Sequence, residues 1–149
     1  MSLNRRESAG YLTNWAARLF ARAIDRRLKS LGLSSGQLPV FFALADGEAM
    51  TQKQLAQVAS TEQPTMAATL ARMARDGLIE RRPDPKDRRS TLITLSPAAR
   101  EKLPAVMEAT MTVNGQALAK LSAEEREAFL TGLKSVIATL SGKPEDQAL

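Results

Sequence analysis

Residues 81–90 read RRPDPKDRRS, ten positions that hold five basic residues, two prolines and two aspartates. The stretch lies between GLIE at residues 77–80 and TLITLSP at residues 91–97. LIER and STLITL are short runs rich in apolar or β-branched side chains, and a polar Pro/Asp segment joins them. That pattern predicts a β-hairpin with a long tip, PDPKDRR. Asp84 and Asp87, each flanked by or near proline, are expected to bond back to the local backbone and stiffen the tip. Taken alone, a run of charge is a solvated loop. What precedes it decides otherwise.

Upstream, residues 62–76 read as a helix that Gly77 terminates. Met66, Leu70 and Met73 recur at i, i+4 and i+7, a stripe assigned to the core. Pro64 is tolerated in the first turn, where the N–H has no intrahelical partner. The opposite face is predicted to show Gln63, Thr65, Ala68, Thr69, Arg72 and Asp76. Before it, Thr51 and Gln54 have capping-box spacing and open the short helix of TQKQLAQVAS, with Leu55 and Val58 expected to face a core. Ser34 and Gln37 repeat that spacing ahead of LPVFFALAD, a second helix closed by Gly47. Residues 11–31 form a long amphipathic helix with Leu12, Trp15, Leu19, Phe20, Ala23, Ile24, Leu28 and Leu31 at helical spacing, ended by Gly32.

Downstream, Ser96-Pro97 supplies an N-cap and a first-turn proline for a fifth helix. Its apolar positions are Leu103, Val106, Met107, Thr110, Met111, Leu118 and Leu121, and Gly115 weakens it. Ser122 and Glu125 cap a last helix whose face carries Phe129, Leu130, Leu133, Val136, Ile137 and Leu140. The tail SGKPEDQAL is expected to fray.

The composition narrows the function classes. The chain has 149 residues, 44% of them apolar and 25% charged, the profile of one globular domain. No run approaches the roughly 20 apolar residues of a membrane helix, and MSLNRRESAG lacks a signal-peptide core, so a cytoplasmic location is expected. Cysteine and histidine are both absent. Their absence removes disulfides, thiolate and imidazole metal sites, and imidazole acid–base chemistry. No nucleophile elbow, P-loop or dinucleotide fingerprint is present, so an enzyme ranks last and no cofactor or metal is expected. The net charge of +5 is segregated: residues 1–31 carry +5 and residues 61–100 carry +3, whereas 32–60 and 101–149 sum to −1 and −2.

Three short helices followed by a hairpin with a basic tip define a winged helix-turn-helix, placed at residues 34–96. The expected fold is mainly α with a small antiparallel β-hairpin, this core being flanked by long dimerisation helices at 8–33 and 97–141. In such a core the third helix enters the major groove of DNA and the wing reaches a neighbouring groove. Arg72 can bond guanine bidentately, and small Ala68 and Thr69 let the backbone approach the groove floor beside Gln63 and Thr65. Lys86, Arg88 and Arg89 supply cations for a narrow minor groove, which favours planar, weakly hydrated guanidinium. Helices beyond the core are apolar over more turns than a compact winged core can cover, which favours a twofold dimer over a wrapped monomer.

The chain also resembles the MarR transcriptional regulators. The resemblance is strongest in the linked pieces TQKQLAQ, the QPTM–L–RM–DGLIER run, and DPKDRR followed by TLITLS, in that order and spacing. It implies a homodimer that binds an inverted-repeat operator on double-stranded DNA, with a small anionic aromatic effector controlling affinity and repression as the usual outcome. It places the wing arginine on Arg89 and a supporting acidic residue on Glu62, so a Glu62–Arg89 pair is expected. The sequence does not assign the effector's pocket; Trp15, Leu19, Phe41 and Met107 are the candidates for its lining. Two positions depart from the family pattern: Ala71 replaces an aspartate late in the reading helix, and Ala99 replaces a glycine after the second strand. The lack of cysteine excludes sensing by thiol oxidation. The alternative reading is a winged-helix module that docks an acidic protein and binds duplex DNA without sequence preference.

Overall fold

The computed structural model describes residues 4–144. Ser8 opens helix α1 (Ala9–Leu28), its Oγ accepting from the Tyr11 N–H at 3.3 Å. A single 3₁₀ turn, Lys29–Leu31, extends α1 to Gly32, whose φ of 70° stops it. A second 3₁₀ turn, Ser35–Gln37, leads into α2 (Leu38–Leu44), and Gln37 Oε1 accepts from the Ser34 N–H at 3.0 Å. Both orphan donors of α3 (Gln52–Val58) are met as the spacing predicts: Thr51 Oγ1 accepts from Gln54 N–H at 3.2 Å, and Gln54 Oε1 from Thr51 N–H at 2.8 Å.

The turn from α3 to α4 (Gln63–Arg75) runs through Ser60, at φ 46°, and closes with Thr61 N–H on Ala56 C=O at 2.9 Å. A non-glycine residue in the left-handed region is uncommon and marks a turn fixed by its surroundings. Gly77 (φ 71°) then ends α4 and releases the chain into the hairpin.

The hairpin pairs β2 (Ile79–Pro83) with β3 (Thr91–Leu95), antiparallel, from Ile79 opposite Leu95 to Pro83 opposite Thr91. Pro83 is accommodated because β2 lies at an edge. The sheet has a third strand beyond the predicted hairpin. β1 (Met50–Thr51) pairs with β3, Met50 opposite Ile93 and Thr51 opposite Leu92. Two residues are too short to carry a period, so only the long-range pairing reveals them.

Ser96 fastens the core to the following helix. Buried, it donates from Oγ to Gly77 C=O at 2.7 Å and accepts from Ala99 N–H at 3.1 Å, which caps α5 (Pro97–Ala117). Ala99, the position that departs from glycine in the family pattern, is fully buried there. Lys102 Nζ donates to Leu31 C=O at 2.9 Å, tying α5 to the end of α1. α6 (Ala123–Ser141) opens on the predicted box, Ser122 N–H to Glu125 Oε2 at 2.8 Å and Glu125 N–H to Ser122 Oγ at 3.2 Å. The fraying expected of the tail falls mainly on residues 145–149, outside the described residues.

The core gathers Leu28 from α1, Val40, Phe41 and Leu44 from α2, Leu55 from α3, Leu70 and Met73 from α4, Leu95 from β3 and Val106 from α5, all fully buried. Val58 is not among them: it is 56% exposed. The buried arc of α3 is centred between Leu55 and Ala56, and Val58 projects about 110° from that centre at 100° per residue. Met107 and Met111 also stand exposed, because α5 turns Val106, Ala109 and Val113 inward instead. Leu121 lies past the end of α5, in the link to α6. α6 buries no residue at all.

Candidate nucleic-acid interface

The exposed face of α4 follows from its buried stripe. Met66, Leu70 and Met73 are 3%, 0% and 0% exposed, and Gln63, Thr65, Ala68 and Arg72 stand in solvent as predicted. Thr69 does not. It is 7% exposed and belongs to the core side. A three-residue step from Met66 turns the helix by about 300°, which leaves Thr69 roughly 60° from the stripe and inside the packed arc. Its hydroxyl still acts on the exposed face, since Thr69 Oγ1 accepts from an Arg72 guanidinium nitrogen at 3.3 Å. Helical periodicity predicts both residues facing outward side by side; the structure makes one the support of the other.

The exposed face of α4 also carries Arg75, which the sequence pattern does not single out. Arg75 lies about 180° from Met66, at the centre of the exposed face, with 72% of its side chain exposed. It makes a 3.5 Å ion pair with the neighbouring Asp76, the sole ion pair among the described residues. The expected Glu62–Arg89 pair is therefore not formed. Glu62 is the N-cap residue of α4, and its carboxylate caps no backbone N–H. The helix start and the wing are held by separate elements, and both side chains are exposed, so water satisfies each charge.

The wing tip is built as its aspartates predict. Asp84 Oδ1 accepts from Lys86 N–H and Asp87 Oδ1 from Arg89 N–H, both at 2.9 Å. Asp84 N–H reaches Ser90 C=O across the tip at 3.1 Å, and Ser90 N–H bonds Asp87 C=O at 2.9 Å. These short-range bonds fold seven residues into consecutive turns, which leave Lys86 and Arg88 exposed.

Arg89 sits differently. It lines a cleft of about 340 Å³ with Thr51, Gln52, Lys53, Arg81, Ser90, Thr91 and Ile93. The β1–β3 pairing produces this cleft by laying the start of α3 against the return strand of the wing. No local pattern marks Lys53 and Arg81, because residues 36 positions from Arg89 and on the facing strand become its neighbours only through the sheet. The chemistry available across α4, the wing and the cleft is that of guanidinium, ammonium, amide and hydroxyl donors: recognition of anions and base edges.

Comparison with known proteins agrees with this geometry. The MarR family profile matches residues 31–90, from the end of α1 to the wing. The helix-turn-helix-type transcriptional regulator YwoH of Bacillus subtilis is 31% identical over 116 residues, 78% of this chain and 84% of that protein. The chain belongs to the MarR family of transcriptional regulators. Beyond the profile, the likeness extends through the flanking helices. The crystal structure of a probable transcriptional regulator from Pseudomonas aeruginosa superposes with a TM-score of 0.81 at 29% identity, covering 90% of this chain and all of that one. BpsR of Bordetella bronchiseptica, whose DNA binding is regulated by 6-hydroxynicotinic acid, has the same fold at 22% identity, TM-score 0.82, covering 91% of this chain and 97% of that one. The winged helix-turn-helix and its flanking helices are thus the fold of this MarR-family chain. Among the described residues, no helix is long and apolar enough to cross a membrane, and no group of acidic side chains is placed to hold a metal ion.

The candidate effector lining is not assembled in the single chain. Phe41 is 1% exposed in the core, whereas Trp15, Leu19 and Met107 stand 47%, 50% and 55% exposed. Leu19 and Met107 line two different clefts. A buried ring and outward-facing side chains on other helices do not enclose a common space.

Proposed function

We propose that this MarR-family regulator acts as a homodimer on an inverted-repeat operator, the core at residues 34–96 meeting DNA and the helices at 8–33 and 97–141 joining the two copies. The observation that carries the proposal is the pairing of two kinds of surface on one chain. A donor-rich reading helix and a stiffened basic wing lie on the core, while the flanking helices leave a large apolar surface uncovered. Leu12, Trp15 and Leu19 of α1, and Phe129, Leu130, Val136 and Ile137 of α6, are each between 39% and 50% exposed. Leu12, Phe129 and Leu130 line one cleft, so apolar side chains of the two helices adjoin, and a contiguous apolar patch marks an interface. Twofold pairing covers it and sets two reading helices about one DNA turn apart.

In this reading Gln63, Thr65, Ala68 and Arg72 address base edges, with Thr69 behind Arg72. Lys86, Arg88 and Arg89 serve the wing contact, and Asp84 and Asp87 shape the tip. Repression is the proposed outcome, by occupancy of the operator. Release by a small anionic aromatic molecule is part of the proposal, supported by the shared fold of BpsR. Such a molecule must bind the DNA-incompetent form more tightly, and DNA must weaken its binding by the same factor.

Light scattering joined to a DNA titration tests the proposal. The chain is expected as a dimer that prefers an inverted repeat over random duplex, with affinity falling steeply in salt. Leu130→Glu puts a charge on the exposed apolar face and is expected to give folded monomers with weak DNA binding. A wild-type monomer at micromolar concentration, or equal affinity for operator and random duplex, defeats the proposal.

A further inference from the structure

The cleft at the base of the wing has a composition that neither the wing nor the reading helix accounts for. Lys53 from the first turn of α3, Arg81 from β2 and Arg89 from the return of the wing converge on its walls, with Thr51, Ser90 and Thr91 contributing hydroxyl-bearing residues. Among the described residues, none of the three cations has a carboxylate within 4.0 Å, since the sole ion pair is that of Arg75 with Asp76. Three like charges line one concave space, and no acidic side chain in the cleft lining offsets them. A phosphate oxyanion satisfies that arrangement. It accepts from two planar forks, an ammonium and neighbouring hydroxyls at once, and arginine is suited to such bidentate contact.

We infer that the Lys53–Arg81–Arg89 cleft is a phosphate-binding site, which in the DNA complex holds one backbone phosphate between the start of α3 and the wing. This rests on the proposed DNA-binding reading and adds to it a contact carried by α3 and β2. The cleft is built into the sheet. β1 pairs with β3 at Thr51 and Leu92, and β2 pairs with β3 at Arg81 and Ile93, so Lys53 and Arg81 are carried by elements on either side of one central strand. A phosphate gripped there fixes the angle between the wing and α3, and so the depth to which Lys86 and Arg88 reach. Phosphate contacts of this kind set register on the duplex and carry no base information. The site is therefore expected to govern affinity and salt dependence while leaving sequence preference alone.

The test compares the wild type with Lys53→Gln, Arg81→Gln and the double variant, each checked for native circular dichroism, in DNA titrations from 50 to 300 mM salt. The expected result for the double variant is roughly tenfold weaker binding to operator and random duplex alike, and a salt slope shallower by about 1. Lys53→Arg retains the wild-type slope. A parallel arm replaces chloride with inorganic phosphate at constant ionic strength. Competition seen with the wild type and lost in the double variant shows that the cleft also takes free phosphate; no competition leaves the DNA backbone as its source. An unchanged slope in the folded double variant overturns the inference. If the wild type itself binds no DNA, the functional reading fails instead, and phosphorus NMR of the wild type against the double variant decides the cleft separately: no broadening by the wild type overturns it.

Discussion

Thr69→Val isolates the relation between the buried threonine and the arginine it holds. Valine keeps the β-branched shape and replaces the hydroxyl with a methyl in a position only 7% exposed. The lost hydrogen bond, at 3.3 Å from an exposed guanidinium, is at the long end of useful geometry. Its net worth to the fold is about 0.5–1 kcal/mol, and the added methyl recovers much of that in apolar burial. Stability is thus expected to change by less than about 1 kcal/mol. The effect on DNA is larger in proportion. Arginine carries about 2 kcal/mol of rotamer entropy, part of which the Thr69 contact has already removed in the free protein. Releasing Arg72 returns that cost to the binding step, and operator affinity should fall about three- to tenfold. The charge is untouched, so the salt slope and the affinity for random duplex should hold. Fluorescence anisotropy with operator and random duplexes, across a salt series, reads all three quantities. Thr69→Ser, which keeps the acceptor, should bind operator within about twofold of the wild type. Equal losses on operator and random DNA, or no loss on either, would refute the reasoning that Thr69 preorganises a base-reading arginine.

Leu70→Ala removes a fully buried side chain from the middle of the α4 stripe, and denaturant unfolding should show a loss of about 2–5 kcal/mol. Asp84→Ala and Asp87→Ala each delete one 2.9 Å turn bond at the wing; thermal stability should shift by no more than about 1 kcal/mol, while DNA affinity drops several-fold through wing disorder, visible as faster amide exchange over residues 84–90. Histidine and cysteine are absent, so no side chain ordinarily titrates between about pH 5 and 8, and operator affinity at fixed ionic strength should be flat from about pH 6 to 8. The Glu124 carboxyl is held below its ordinary value by its own backbone N–H and then by the Ser122 hydroxyl. Its contribution to stability is present above the ordinary carboxylate pKa and lost only as pH falls through the lowered value, below that window. A bell-shaped pH profile of DNA binding near neutrality would contradict this.

Local rules were legible wherever they act over a few residues. The boxes at Thr51–Gln54 and Ser122–Glu125 formed because partner and donor lie three positions apart. The Asx bonds of Asp84 and Asp87 span two positions and formed for the same reason. The Met66–Leu70–Met73 stripe fixed which face of α4 is buried, and with it most of the face it exposes. At the margins of a buried arc, on α4 and on α3 alike, a threonine or valine can lie in or out, and packing against neighbours settles which. Thr69 went in and Val58 stayed out.

The sequence by itself therefore determined the order of helices, the hairpin, the stiffened basic tip and the family, because periodicity, capping and turn chemistry depend on residues close along the chain. Tertiary structure alone decided the third strand, the support of Arg72 by Thr69, the independence of Glu62 from Arg89, and the gathering of Lys53 with Arg81 and Arg89. Each of these depends on the pairing of distant segments or on which side chain fills a given space. Those outcomes follow from the whole packed core, and no local pattern of residues encodes them.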